Sequence, residues 1–113
     1  MAKNPDSNPK TKHGIVKPSL GLIPLTALEA AAKAHQLGAD KYGPWNWREN
    51  SVAASVYVNA AMRHLKAWHE TQDNDDESGA SHLGHVMTCC AILLDAQEYG
   101  CMIDDRPKGR KHD

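Results

Sequence analysis

Apolar residues recur with a helical period of about 3.6 along most of this chain, and no stretch of its body shows the two-residue alternation of a half-buried strand. The pattern predicts three main helices, near residues 24–37, 51–69 and 78–99. In the first, Leu25, Leu28, Ala32 and His35 form the apolar stripe. Pro24 suits a first turn, Thr26 and Glu29 have capping-box spacing, and Gly38 is a stop signal. The second begins at an Asn50 or Ser51 cap and gathers Tyr57, Ala60, Ala61, His64 and Trp68 on one face, leaving His69 at the surface. The third, ended by Gly100, is apolar nearly all round, the mark of a central helix rather than a surface one. The expected fold class is all-α, a compact bundle of three main helices. Residues 14–24 alternate apolar positions with Gly and Pro and read as an extended arm packed on the core.

Composition narrows this picture. With 113 residues, 41% hydrophobic and no Phe, the chain makes one small domain with a modest core, so completion by homo-oligomerisation is expected. A net charge of −1 argues against a protein devoted to a nucleic-acid backbone or an anionic membrane surface. Three cysteines without C-x-x-C spacing argue against a disulfide framework, and no apolar run reaches membrane-spanning length, so a cytoplasmic protein is expected. Residues 1–16 read as a flexible tail, 17–100 as the helical domain and 101–113 as a basic tail without apolar period.

Candidate chemistry centres on Asp73 to His85. His82 and His85 are three apart, so both imidazoles leave one helix face beside a loop of acids, half of a plausible metal site. His64 faces inward from the preceding helix, either as a satisfied core residue or as a further ligand. Glu29 is either the capping-box carboxylate or a ligand. In the segment from Gly38 to Asn50, Tyr42, Trp45 and Trp47 suit either stacking on a base or lidding a small core, and Lys41 either a phosphate or solvent. Asp95 lies roughly 20 Å along the helix axis from His82, so it answers to a different partner and reads first as a surface carboxylate at a turn end.

Three runs taken together, Gly38-Ala-Asp-Lys-Tyr-Gly43-Pro-Trp-Asn46-Trp47, Arg63-His-Leu-Lys-Ala-Trp68 and Asp75-Asp-Glu-Ser-Gly-Ala-Ser-His82-Leu-Gly-His85, resemble in order and spacing the phage dATP/dGTP diphosphohydrolase N-terminal domain family. The resemblance covers about Lys17 to Glu98. It implies a catalytic domain that hydrolyses purine deoxynucleoside triphosphates to monophosphate and pyrophosphate, in phage nucleotide metabolism and therefore in a host cytoplasm. All-α nucleotide pyrophosphatases of similar activity place E-x-x-E and E-x-x-D pairs on successive helices. Here no such pair stands on a predicted helix, and His82-x-x-His85 takes that place.

Cleavage between the α and β phosphates needs a cation, a positioned water and a base. Under the resemblance, His64, His82, His85 and Glu77 are the candidate metal ligands. Glu77 serves as ligand or general base, with Asp75 as its support. Lys41 and Arg63 would contact phosphate, and Tyr42, Asn46 or Trp47 the base. A mixed imidazole and carboxylate set favours Mn or Zn, with Mg possible. The rival readings are a metal-dependent phosphohydrolase acting on another phosphate ester, and a non-catalytic helical phage protein that binds a host factor.

Overall fold

A computed structural model describes residues 7–109. Parts of both expected tails, residues 1–6 and 110–113, lie outside the described residues. In chain order the elements are α1 (Pro9–Gly14), a 3-10 turn (Leu20–Leu22), α2 (Leu25–Tyr42), α3 (Asn46–Glu49), β1 (Val52–Ala53), α4 (Ala54–His69), α5 (His82–Tyr99) and β2 (Met102–Ile103). The three long helices and the all-α class match the periodicity, but their ends do not all fall where local signals put them.

Helix α2 runs through Gly38 and stops at Gly43, whose φ of 95° no side-chain-bearing residue adopts easily and whose N–H donates to Ala39 O at 2.8 Å. Pro44 then forbids continuation. Across Gly38, the Gln36 amide donates to Asp40 one turn on at 2.9 Å, which offsets part of the glycine's low helix propensity. The extra turn carries Lys41 and Tyr42 on the helix instead of in a loop. The capping box does not form. Pro24 is the cap residue and makes no side-chain cap bond, so Thr26 lies inside the first turn and Glu29 is an exposed helical residue.

Helix α4 starts three residues later than its Ser51 signal because Val52 and Ala53 pair in parallel with Met102 and Ile103. Its cap residue, Ala53, has no side-chain acceptor. The acceptor comes from far along the chain: Asp105 takes the Ser55 backbone N–H at 2.8 Å and the Ser55 hydroxyl. Residues 102, 103 and 105, in the segment read as a basic tail, thus anchor the start of α4. On its inward face Trp68 remains 41% exposed, beyond the part that α5 covers.

Helix α5 is the middle layer, packed on α4 along one side and on α2 along another. It begins at His82, not Ser78, because Ser81 is the cap and accepts the Gly84 N–H at 3.2 Å. Against α2 the two backbones nearly touch, since a Cβ on Gly84 would sit 2.5 Å from Ala30 O. The Thr88 hydroxyl donates to Ala31 O at 3.1 Å one turn further on. Three alanines of α2, at 30, 31 and 34, make the approach possible, and Ala34 is buried by it.

The core is small. Among the described residues the buried apolar ones are Ala34, Val52, Ala54, Ala80, Cys89 and Ala96, and no large side chain is wholly enclosed. The radius of gyration, 18.3 Å, exceeds the value of about 13 Å typical of a compact domain of this length. The arm expected on the core is not packed there, as Ile15, Val16, Leu20 and Leu22 are 75 to 83% exposed. Two sides of α5 are taken by α2 and α4, and the arm does not cover the third, where Leu83 and Leu94 stay exposed. The three cysteines are free thiols.

Replacing Gly84 by Ala would gain about 1 kcal/mol of helix propensity. It would also drive a methyl into the Ala30 carbonyl, an overpacking cost of about 1–3 kcal/mol or more. The expected outcome is a net loss in urea denaturation, with Gly38→Ala, where nothing lies within 4 Å of the added carbon, gaining stability in the same assay.

Candidate functional site

Because α5 separates them, α2 and α4 splay apart and leave a cleft of about 1500 Å³. Its walls are the C-terminal half of α2, the inward face of α4, the loop before α5 and the inner face of α5 itself. The ten residues given roles under the resemblance all line this one cleft: Lys41, Tyr42, Asn46, Trp47, Arg63, His64, Asp75, Glu77, His82 and His85; Trp45 lines it too, and Glu29, the further candidate ligand, does not.

The floor is a cluster of three imidazoles. His64 Nδ1 lies 2.8 Å from His82 Nδ1, and the His64 and His85 rings stack with centroids 4.3 Å apart and planes 11° from parallel. The hydrogen bonds fix who donates. Gln72 gives its amide N–H to Asp76 at 3.1 Å, so its carbonyl oxygen is what His82 Nε2 meets at 2.7 Å, and His82 donates there. In the neutral cluster His82 Nδ1 is then an acceptor, His64 Nδ1 carries the proton, and His64 Nε2 keeps a free lone pair.

A second chain orders His85. The Ser78 hydroxyl donates to Asp75 at 2.9 Å, so the same oxygen accepts from His85 Nε2 at 2.8 Å, with the Asp75 carboxylate 4.0 Å from that nitrogen. Burial lowers the pKa of His64, and its two histidine neighbours lower it further. His85 is lowered mainly by burial, against the opposing pull of Asp75. Burial would raise the Asp75 carboxyl, but the hydrogen bonds from Ser78 and the backbone outweigh it and hold Asp75 below the ordinary carboxylate value.

This arrangement bears on the expected metal centre. Among the described residues no group of three or more His, Cys, Asp or Glu side chains is placed to hold a metal ion. His82 has both ring nitrogens engaged, His85 Nε2 is committed to Ser78, and Glu77 is exposed at the edge of the cleft. As folded, His64, His82, His85 and Glu77 do not fit a resident three-ligand centre, because neutral imidazoles brought this close satisfy one another and their polar neighbours first.

The rim carries positive charge. Lys41 and Arg63 line the cleft, and neither has an ion-pair partner among the described residues. Beyond them the aromatic wall is held by a network that the sequence did not show. Arg48 grips Asp95 with two bonds of 2.7 and 2.8 Å, while the Trp47 indole N–H donates to the same carboxylate at 2.7 Å. Arg48 also lies over the rings of Trp45 at 4.3 Å and Tyr99 at 4.7 Å. Asp95 is therefore the anchor of the segment from Trp45 to Arg48, not a free surface carboxylate. Trp47 is tied to structure and is not free to meet a base by its polar edge. Gln72 and Ser78, which orient the imidazoles, were also missed, and one sequence carries no signal for partners found only by folding.

The cleft thus brings Lys41 and Arg63, the three clustered imidazoles, the carboxylates of Asp75 and Glu77 and an aromatic wall together in a helical protein. In comparison with known proteins, the family described as "dATP/dGTP diphosphohydrolase, N-terminal" matches residues 7–106, and the chain belongs to it. A dATP/dGTP diphosphohydrolase of Salmonella phage PMBT28 is 32% identical over 70 residues, which are 62% of this chain and 23% of that protein. The chain thus corresponds to less than a quarter of this relative's length. No solved structure matches the chain.

The Asp95 network makes a prediction about acid. Hydrogen bonds from Arg48, then from Trp47, hold the Asp95 carboxyl at about 2, against 3.8 ordinarily. A depressed carboxylate contributes stability above its unfolded value and loses it as pH falls through the folded one. Tryptophan fluorescence should therefore change between about pH 4 and 2, and Asp95→Asn should abolish that transition while altering the spectrum already at neutral pH.

Proposed function

We propose that this chain forms the nucleotide-handling cleft of a phage enzyme that hydrolyses dATP and dGTP to the monophosphate and pyrophosphate. The observation that carries the reading is the convergence in one cleft of two unpaired cations, Lys41 and Arg63, an aromatic wall and an imidazole floor with an open lone pair on His64. Lys41 and Arg63 meet the triphosphate. Tyr42 and Asn46, which line the same cleft, are the groups offered to the base.

A divalent cation is still required to screen the triphosphate. On this reading it arrives as part of the substrate, a metal–nucleotide complex, and the carboxylates of Asp75 and Glu77 are the groups of this chain that suit it. Carboxylate oxygen favours Mn or Mg, and the case for Zn, which rested on free imidazoles, weakens. Kept neutral by burial, His64 accepts the proton of the attacking water at Nε2. His82, Gln72 and Asp76 behind it hold the tautomer in which that nitrogen is bare.

Incubating the purified chain with each deoxynucleoside triphosphate and Mg or Mn should release dAMP or dGMP and pyrophosphate, resolved by anion-exchange chromatography. Lys41→Ala and Arg63→Ala should raise KM with less effect on kcat. Because a base must be unprotonated and His64 titrates below its ordinary 6.5, the acid limb of kcat/KM should lie below that pH and vanish in His64→Gln. Absence of turnover with either metal would overturn the reading for this chain.

We also propose that the chain assembles with itself through the third side of α5. Leu83, Met87, Cys90 and Leu94 repeat at coiled-coil spacing along the helix, and Leu94 is 68% exposed. An apolar helix with two faces covered and one bare fits a second copy. Sedimentation should show a dimer or larger species that Leu94→Glu reduces to monomer, and a wild-type monomer at micromolar concentration would contradict it.

A further inference from the structure

Trp45 is the residue of the aromatic wall whose placement structure alone does not explain. It sits in the left-handed region, with φ 60° and ψ 23°, where a bulky side chain is a rare outlier and carries strain. Its ring is not stored in the core, for the residue is 55% exposed. Its indole N–H has no hydrogen-bond partner among the described residues, whereas that of Trp47 is bound to Asp95.

The ring is nevertheless held firmly from one side. The Arg48 guanidinium lies 4.3 Å from its centre, clamped in turn by two bonds to Asp95 and by the Tyr99 ring beneath, and Trp47 flanks it at 5.3 Å. Trp45 also lines the cleft, together with Asn46, Lys41 and Arg63. A strained backbone, a rigid backing and an uncovered apolar face make a preformed stacking platform, with little ordering left for a ligand to impose.

We infer that the open face of Trp45 is the stacking site for the nucleobase, and that it selects two-ring bases over one-ring bases. This inference rests on the reading of the cleft as a deoxynucleotide site and names the group that would read the base. A purine covers more of an indole than a pyrimidine does, so the preference follows from contact area. Lys41, on the last turn of α2, lines the same cleft and on that reading would meet the anionic end of the same ligand.

The test compares binding, not turnover. Calorimetric titration of the intact chain would use dATP with its α,β bridge replaced by a nonhydrolysable imido group, the matching dTTP analogue, and inorganic tripolyphosphate. Trp45→Gly suits the backbone, since glycine adopts this φ freely, so thermal melting reports whether the fold is kept. Loss of a base–aromatic stack weakens binding by about 10- to 100-fold. Trp45→Gly should lose that much affinity for the dATP analogue, keep its affinity for tripolyphosphate, and bind the dATP and dTTP analogues alike; Trp45→Phe should recover part of the loss.

Unchanged dATP binding by Trp45→Gly, or an equal loss for tripolyphosphate, overturns the platform. Wild-type purine binding without hydrolysis would keep the platform and remove the catalytic reading. Hydrolysis with unaltered Trp45→Gly binding would do the reverse. A wild-type chain that binds no purine nucleotide overturns both.

Discussion

The near-contact between Gly84 and the Ala30 carbonyl is the constraint on which the rest of the structure depends. A methyl group on either the turn at 84 or a larger residue among the α2 alanines would separate the helices, and the Thr88 hydroxyl could no longer reach Ala31 O. With α2 held this closely on one side of α5 and α4 packed on another, the two outer helices do not fill the space between them. That unfilled space is the cleft. The site therefore exists because α5 is slim on the side facing α2, and its chemistry follows from what α5 carries at its first turn, His82 and His85.

Three imidazoles in a half-buried cleft have two ways to lower their free energy: to share a cation, or to satisfy one another. Here the second holds. Gln72 and Ser78 each terminate a hydrogen-bond chain at a carboxylate, Asp76 in one case and Asp75 in the other, so each proton has a defined place. Desolvation acts the same way on His64 and His85 by disfavouring the charged form. A lowered pKa on His64, with its Nδ1 turned to His82, leaves its Nε2 lone pair open. The positive charge of the cleft comes instead from Lys41 and Arg63, exposed residues whose solvation makes the charge cheap to maintain.

Much of the fold was legible because helices announce themselves by period, and the inward aim of His64 and the shared face of His82 and His85 came from the same arithmetic. The errors arise where long-range partners override local signals. Thr26 and Glu29 have capping-box spacing, yet the helix begins two residues earlier. Gly38 looks like a stop but lies mid-helix, since the true stop is the pair Gly43-Pro44. Ser51 looks like a cap, yet a strand pairing with residues 102 and 103 delays α4, and Asp105 supplies the acceptor. The hydrogen-bond partners of the imidazoles were hidden for a related reason, because Gln72 and Ser78 meet ring nitrogens of His82 and His85 and no spacing rule reveals them.

The Arg48–Asp95 pair shows how a sequence-distant contact assigns roles among chemically equivalent residues. Trp45 and Trp47 are two apart in a segment rich in Gly, Pro and Asn, and composition alone gives no reason to separate them. Asp95 separates them. By accepting from the Trp47 indole and from Arg48 together, it converts Trp47 into part of the scaffold and places the guanidinium under Trp45. The same carboxylate, about three turns beyond His85, thereby couples the wall to α5. Any shift of α5 along α2 would move His82, His85 and the aromatic wall together, so the spacing between these two parts of the cleft is set by a single helix.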